Sequence, residues 1–209
     1  MIVVAIMGSM AAMIAPGLAE FMADIRASGA SEDMVRLSRH MRARVQETGL
    51  AHLLMFSGED NVNGGLGVIL VYEGMNNHCR ETPWQQAITG AALNPDPNGH
   101  AIVDRVDLAN PAYNVPPAGA TTPRKDDSRR QVIAMAVRGN FAGGKSAIIC
   151  YEPGGGTYEG VADVAAGNFA FTPQSQAITF TITRSVSGEQ RGPTREIVFP
   201  VGGAARFRF

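Results

Sequence analysis

Apolar and polar positions divide the chain into two unlike parts. Residues 1–19 (MIVVAIMGSMAAMIAPGLA) carry no charge, and the first charged side chain is Glu20. Only Ser9 is polar in this run, so it lacks the polar face of an ordinary core helix. Its length is close to the ~20 apolar residues that a membrane-crossing helix needs. A cleaved secretory signal would place basic residues ahead of the apolar run, whereas Met1 is followed directly by Ile2 and Val3. The pattern predicts a membrane-inserted helix that continues into water as an amphipathic one. Beyond Pro16 the helical period appears: Leu18, Phe21, Met22 and Ile25 share one face, and Met34, Leu37, Met41 and Val45 recur at spacings of three and four. Charged residues from Asp24 to Glu47 fill the gaps. Gly29 predicts a soft spot or short break, and Gly49 is a helix stop. Residues 1–48 thus read as one long interrupted helix, ~70 Å if straight.

The remainder reads as β. Strand-like runs occupy 50–56, 66–72, 131–138, 147–151, 177–184, 195–200 and 204–209, separated by Gly, Pro and Asn clusters. Ile178, Phe180 and Ile182 alternate with threonines, as in a strand with one buried face. The stretch 109–130, with four prolines and a charge cluster, reads as a long exposed loop. A short helix is placed at Ala87–Leu93, and no internal repeat is visible.

Composition sharpens this picture only in places. In 209 residues, 45% are hydrophobic and 18% charged, which supplies a core and excludes a wholly disordered chain. Length favours one domain with an appendage over two full domains. The net charge of −1 excludes a chain held to nucleic acid by bulk charge, leaving only local patches. Two cysteines are too few for a disulfide scaffold. Seven of the ten methionines precede residue 42.

The opening run, with MIVVAI, Gly8, Ala11–Ala12 and Pro16 eight residues after Gly8, resembles the N-terminal helix of type IV pilins and type II secretion pseudopilins. The later chain resembles the GspH/FimT group of minor pseudopilins and minor pilins. There the matching features are a helix ending in ARVQETG (Ala43–Gly49), an immediate strand, and a closing hairpin of form R-x-I-V-F-x-x-x-G-x-x-R-x-R from Arg195 to Arg208. The resemblance implies an α+β, pilin-like fold, in which a long N-terminal helix packs on an antiparallel sheet. The implied parts are a membrane and assembly segment over 1–22, an amphipathic segment over 23–48, and a β-rich head over 49–209.

The implied function is structural: a minor subunit of a type II secretion pseudopilus or type IV pilus. Its partners would be other pilin or pseudopilin subunits and the inner-membrane assembly platform. Its place would be the bacterial inner membrane, crossed once with a periplasmic head, before entry into the filament. Family members begin with a basic leader and a stretch near FTLIEL, which this sequence lacks ahead of Met1. A start upstream is the expectation, and processing by prepilin peptidase would follow only from that. Ile2, Val3, Val4, Ile6, Gly8, Ala11, Ala12, Ile14 and Pro16 would form the assembly helix, with small residues permitting close helix approach. Family filaments melt the helix between such a glycine and proline, and Pro16 removes one helical hydrogen bond.

Other signals in the chain compete with this one. Gly139–Ser146 formally matches the phosphate-loop pattern G-x-x-x-x-G-K-[ST], but AIICYEP follows where a helix must open. That segment reads as a hairpin loop. His40, His52, His78 and His100 show no metal spacing, and no nucleophile–base pair stands out; neither a cofactor nor an enzyme is expected. If the head is exported as the resemblance implies, Cys79 and Cys150 would sit in an oxidising space and form a bridge. The alternative is two buried thiols. Arg206 and Arg208, joined by Arg191 and Arg195, are candidates for DNA contact, as in some FimT-type pilins. The plainer reading is a terminal strand with one solvated face. Two other functions stay open: a DNA-binding minor pilin for DNA uptake, and a membrane-anchored or secreted β-domain that binds a ligand without polymerising.

Overall fold

The computed structural model describes residues 2–58, 65–82, 84, 102–110, 112–114, 131–138, 146–163, 168–186 and 189–208. The chain opens with one helix, α1 (Ile2–Thr48). Its lower half is shaped by a stripe of small and flexible side chains. Ala23, Ala27, Ala30, Met34, Leu37, Met41 and Val45 are buried, at helical spacing, while Glu32, Arg36, Arg39, His40 and Glu47 face water. The helix runs through Gly29 without the expected break, because the buried stripe on either side outweighs the ~1 kcal/mol cost of glycine. It stops at Gly49, whose φ of 69° is the left-handed turn that a helix terminus favours.

Eleven strands follow: β1 (His52–Ser57), β2 (Val68–Glu73), β3 (Ile102–Asp107), β4 (Gln131–Arg138), β5 (Ser146–Tyr151), β6 (Thr157–Asp163), β7 (Asn168–Pro173), β8 (Ile178–Val186), β9 (Glu189–Gln190), β10 (Arg195–Phe199) and β11 (Arg206–Arg208). They form two antiparallel sheets. One has six strands in the order β3-β2-β1-β5-β6-β7; the other runs β11-β10-β8-β4, with β9 paired to β8.

This arrangement corrects the expected α+β, pilin-like fold of a long helix packed on an antiparallel sheet. The protein is mostly β, with one helix and two sheets among the described residues. The physical reason lies in β1, β2 and β5, which are apolar at successive rather than alternate positions. Leu54, Phe56, Ile69, Val71 and Ile149 enter a core shared with α1 and the second sheet. Their neighbours Leu53, Met55, Val68, Leu70, Ile148 and Cys150 enter a separate core on the opposite face. A helix covers only a stripe of a sheet face, so a second sheet completes the first core. Phe56 and Phe180 join the two sheets edge to face with ring centroids 5.5 Å apart, and Phe199 packs on Phe180 within its own sheet at 4.9 Å.

Short polar struts fix the sheets relative to one another. Buried Asn114 donates to the carbonyls of Leu108 and Ile133 and accepts from Ile133 N, all within 2.8 Å. Gln174, after β7, donates to Phe199 O on β10 at 3.1 Å. The opposite face of the six-stranded sheet is closed by Trp84 and by a disulfide between Cys79 and Cys150. Trp84 donates its indole N–H to Cys79 O at 2.7 Å, and Cys79 N donates to Glu152 at 2.8 Å. The expected helix at Ala87–Leu93 and residues 115–130 of the proline-rich stretch lie outside the described residues.

The disulfide closes a loop over a sequence separation of 71. Replacing both cysteines with alanine should lower unfolding free energy by about 4 kcal/mol in the chain-entropy model, read as a shifted urea midpoint. A midpoint insensitive to both the substitution and reductant would mean the surrounding core carries that region without it.

Candidate assembly surface

The upper part of α1 inverts the usual rule of burial. Phe21 is 61% exposed, Leu18 59%, Ile25 48% and Met22 44%, whereas Ala23 and Ala27 on the other side are buried against the head. Spacings of three and four put these large residues in one stripe. Val3, nearer the start of the helix, is also exposed. A stripe of this kind marks a surface that something else covers. Ile2, Val4, Ile6, Gly8, Ala11, Ala12, Ile14 and Pro16 belong to the same helix, but their side chains lie outside those described. Among the described residues, no helix is long and apolar enough to cross a membrane.

Polar contacts hold the helix to the head between Glu20 and Arg44. At the top, Arg195 on β10 donates to the Asp24 carboxylate at 2.8 Å, and Arg184 on β8 donates to Glu20 O at 2.8 Å. Lower down, Tyr113 donates a short hydrogen bond to Asp33; burial foremost, and then that carboxylate, push the phenol pKa well above its ordinary value. Ala205 N donates to the buried Ser38 hydroxyl, and Arg42 donates to Gly202 O while lying over the Tyr151 ring. These contacts bind the β10–β11 hairpin to the helix.

The base of α1 carries a charged cluster. His52 is fully buried at the start of β1, with Nδ1 3.1 Å from Leu50 O and Nε2 3.3 Å from Glu73 Oε2. Nε2 lacks hydrogen-bond alignment with that oxygen, which lies 3.4 Å from Arg44. Burial lowers the His52 pKa below 6.5, outweighing the attraction of Glu73.

The four arginines read from the sequence as DNA candidates take different positions. Arg195 is turned inward onto Asp24 with only 17% of its side chain exposed, and Arg191 pairs with Glu189 at 3.4 Å. Arg206 and Arg208 stand exposed on edge strand β11, with Glu196 4.0 Å from Arg208. The structure therefore does not gather them on one surface. Beside β11 a shallow groove of about 470 Å³ is lined by Glu32, Val35, Arg36, Arg39, His40 and Phe207. Among the described residues, no group of three or more His, Cys, Asp or Glu side chains is placed to hold a metal. Ser146 of the phosphate-loop pattern opens strand β5, and Gly139–Lys145 lie outside the described residues.

Sequence reasoning missed Arg184. A basic residue at the end of an alternating Ile/Thr strand looks like an ordinary solvated position, yet it is 8% exposed. Its position two residues after Ile182, on the side buried in the core, was the available signal.

The lowered His52 pKa sets the sign of a pH effect. Unfolding returns the imidazole to ~6.5, so the unfolded chain takes up a proton and stability falls as pH drops below that value. The His52 imidazole should titrate by NMR with a midpoint below 6.5 in the folded protein, and the urea midpoint should fall between about pH 7.5 and 5.5. A folded-state midpoint at or above 6.5 would show that the Leu50 carbonyl and Glu73, and not burial, govern the site.

Compared with known protein-family models, curated proteins and solved structures, the chain matches none.

Proposed function

We propose that this protein is a structural subunit that polymerises through its N-terminal helix, as a minor subunit of a type II secretion pseudopilus or type IV pilus. The observation that carries the reading is the inverted burial of α1, with Leu18, Phe21, Met22 and Ile25 outside and alanines inside. A monomer in water gains nothing from this arrangement, because each exposed apolar side chain forgoes roughly 1.5–3 kcal/mol of burial. The charge-free run before Glu20 extends the apolar surface toward the start of the helix.

Before assembly this run lies in the bacterial inner membrane, with the head on the periplasmic side. There helical backbone satisfies its own hydrogen bonds. In the filament the same surface is covered by helices of neighbouring subunits. The exchange of lipid for protein costs little if small residues let the helices approach closely, and Gly8, Ser9, Ala11 and Ala12 supply them. The partners are other pilin or pseudopilin subunits and the assembly platform.

The test is the double substitution F21D/I25D in the full chain, with E47K as a surface control. Two carboxylates placed in an apolar helix interface should reduce the chain found in the sheared, sedimented filament fraction at least tenfold, or about 1.4 kcal/mol or more. Thermal unfolding of the head should stay within a few degrees of wild type, since both side chains are exposed. Filament incorporation equal to wild type would overturn the reading.

A further inference from the structure

We propose that Arg184 and Arg195 form a clamp on the backbone of α1 that sets the direction in which the helix leaves the head. Its service to assembly rests on the function proposed above; its effect on helix direction does not.

The two arginines come from neighbouring strands of one sheet. Arg195 on β10 lies opposite Ile182 on β8, and Arg184 stands two residues further along β8. Their guanidinium groups reach carbonyl oxygens one helical turn apart. Arg184 Nη1 donates to Glu20 O at 2.8 Å, and Arg195 Nη2 approaches Asp24 O at 3.4 Å while donating to the Asp24 carboxylate at 2.8 Å. Each guanidinium is in turn aimed by the segment that joins the strands. Arg184 Nε donates to Arg191 O at 3.1 Å, Arg191 N returns a bond to Arg184 O at 2.8 Å, and Arg195 Nη1 lies 3.5 Å from Pro193 O.

Gly192 completes the device. Its φ is 76°, and a Cβ added there would stand 3.0 Å from Arg184 Nη2. A side chain at this position would therefore be strained in its backbone and would press on the guanidinium. Arginine suits the task better than lysine, because its planar fork presents several donors in fixed directions.

The clamp sits where direction is decided. Among the described side chains, Ala23 is the first buried apolar residue of α1 in chain order, and Leu18, Phe21 and Met22 before it are exposed. About 18 residues precede the clamp, a lever of roughly 27 Å. A 10° error at its base would move the tip by about 5 Å, half of the 8–10 Å spacing between packed helices. Packing against neighbours tolerates no such error. Gly17, with open space around it, stands one turn ahead of the clamp and offers no support of its own.

The experiment uses the full chain in detergent micelles, with nitroxide labels on cysteines introduced at Val3, near the tip of the lever, and Val201, both exposed. Pulsed electron–electron distance measurement should give a narrow distribution for the otherwise wild-type chain. In R184M/R195M it should broaden by about 5 Å, as the lever estimate requires. R184K/R195K should restore part of the narrowness, because lysine still donates to a carbonyl. Filament incorporation of the Met variant should fall at least tenfold. If the buried substitution prevents folding, Asp24→Ala removes one contact from the helix side and should broaden the distribution to a smaller extent.

An unchanged distribution in a folded Met variant would overturn the proposal; a broadened one with full incorporation would overturn the clamp's service to assembly. Normal incorporation of F21D/I25D together with broadened distances in the Met variant would instead sink the assembly reading and leave the clamp standing.

Discussion

Leu53, Leu54, Met55 and Phe56 point alternately into two separate cores, and the strands on either side of β1 do the same. Water must be kept from both faces of the sheet at once. On one face the task falls to α1 and the second sheet; on the other it falls to Trp84, the disulfide, and the half-buried rings of Tyr158, Phe169 and Phe171. The remaining architecture follows from this requirement. Among the interior polar groups, Asn114 and Gln174 donate to backbone carbonyls that would otherwise be left unsatisfied.

The helix answers to two surfaces. Its lower half is an ordinary amphipathic element whose stripe from Ala27 to Val45 belongs to the main core. Around Ala23 the large apolar residues Leu18, Phe21, Met22 and Ile25 turn away from the head. Small residues on the inner side let the helix lie close to the strands, so the larger side chains are left for another surface. This division within one helix, packed below and presented above, suits the assembly role proposed for it.

Charge serves attachment more than recognition. Asp24, Asp33, Ser38, Arg42 and Arg44 each engage a group on the head, so the polar side chains of α1 act as fasteners along its flank. Pairs at the surface contribute little singly. Arg195, mostly withdrawn from water, is a different case: losing its partner would strand a charge.

The helix, its stop at Gly49, and the strands β1, β2, β4, β5, β8, β10 and β11 were legible in the sequence because each carries its period or its apolar run locally. The strands β3, β6, β7 and β9 were not. IVDRVD, TYEGVAD and NFAFTP lie toward the sheet margins, where burial is partial and charged or turn-forming residues are tolerated, so any alternation is short and weak. Of the candidate surface, the apolar residues were visible, but which way they face was not. Periodicity groups Leu18, Phe21, Met22 and Ile25 on one side without saying whether that side meets the head. Arg184 was silent for the same reason: its role exists only through Glu20 and Arg191, and the first is 164 residues away. A sequence determines local conformation and the pattern of apolar faces. Which faces meet, and which stay uncovered, depends on contacts between distant segments, and those are decided only when the sheets close.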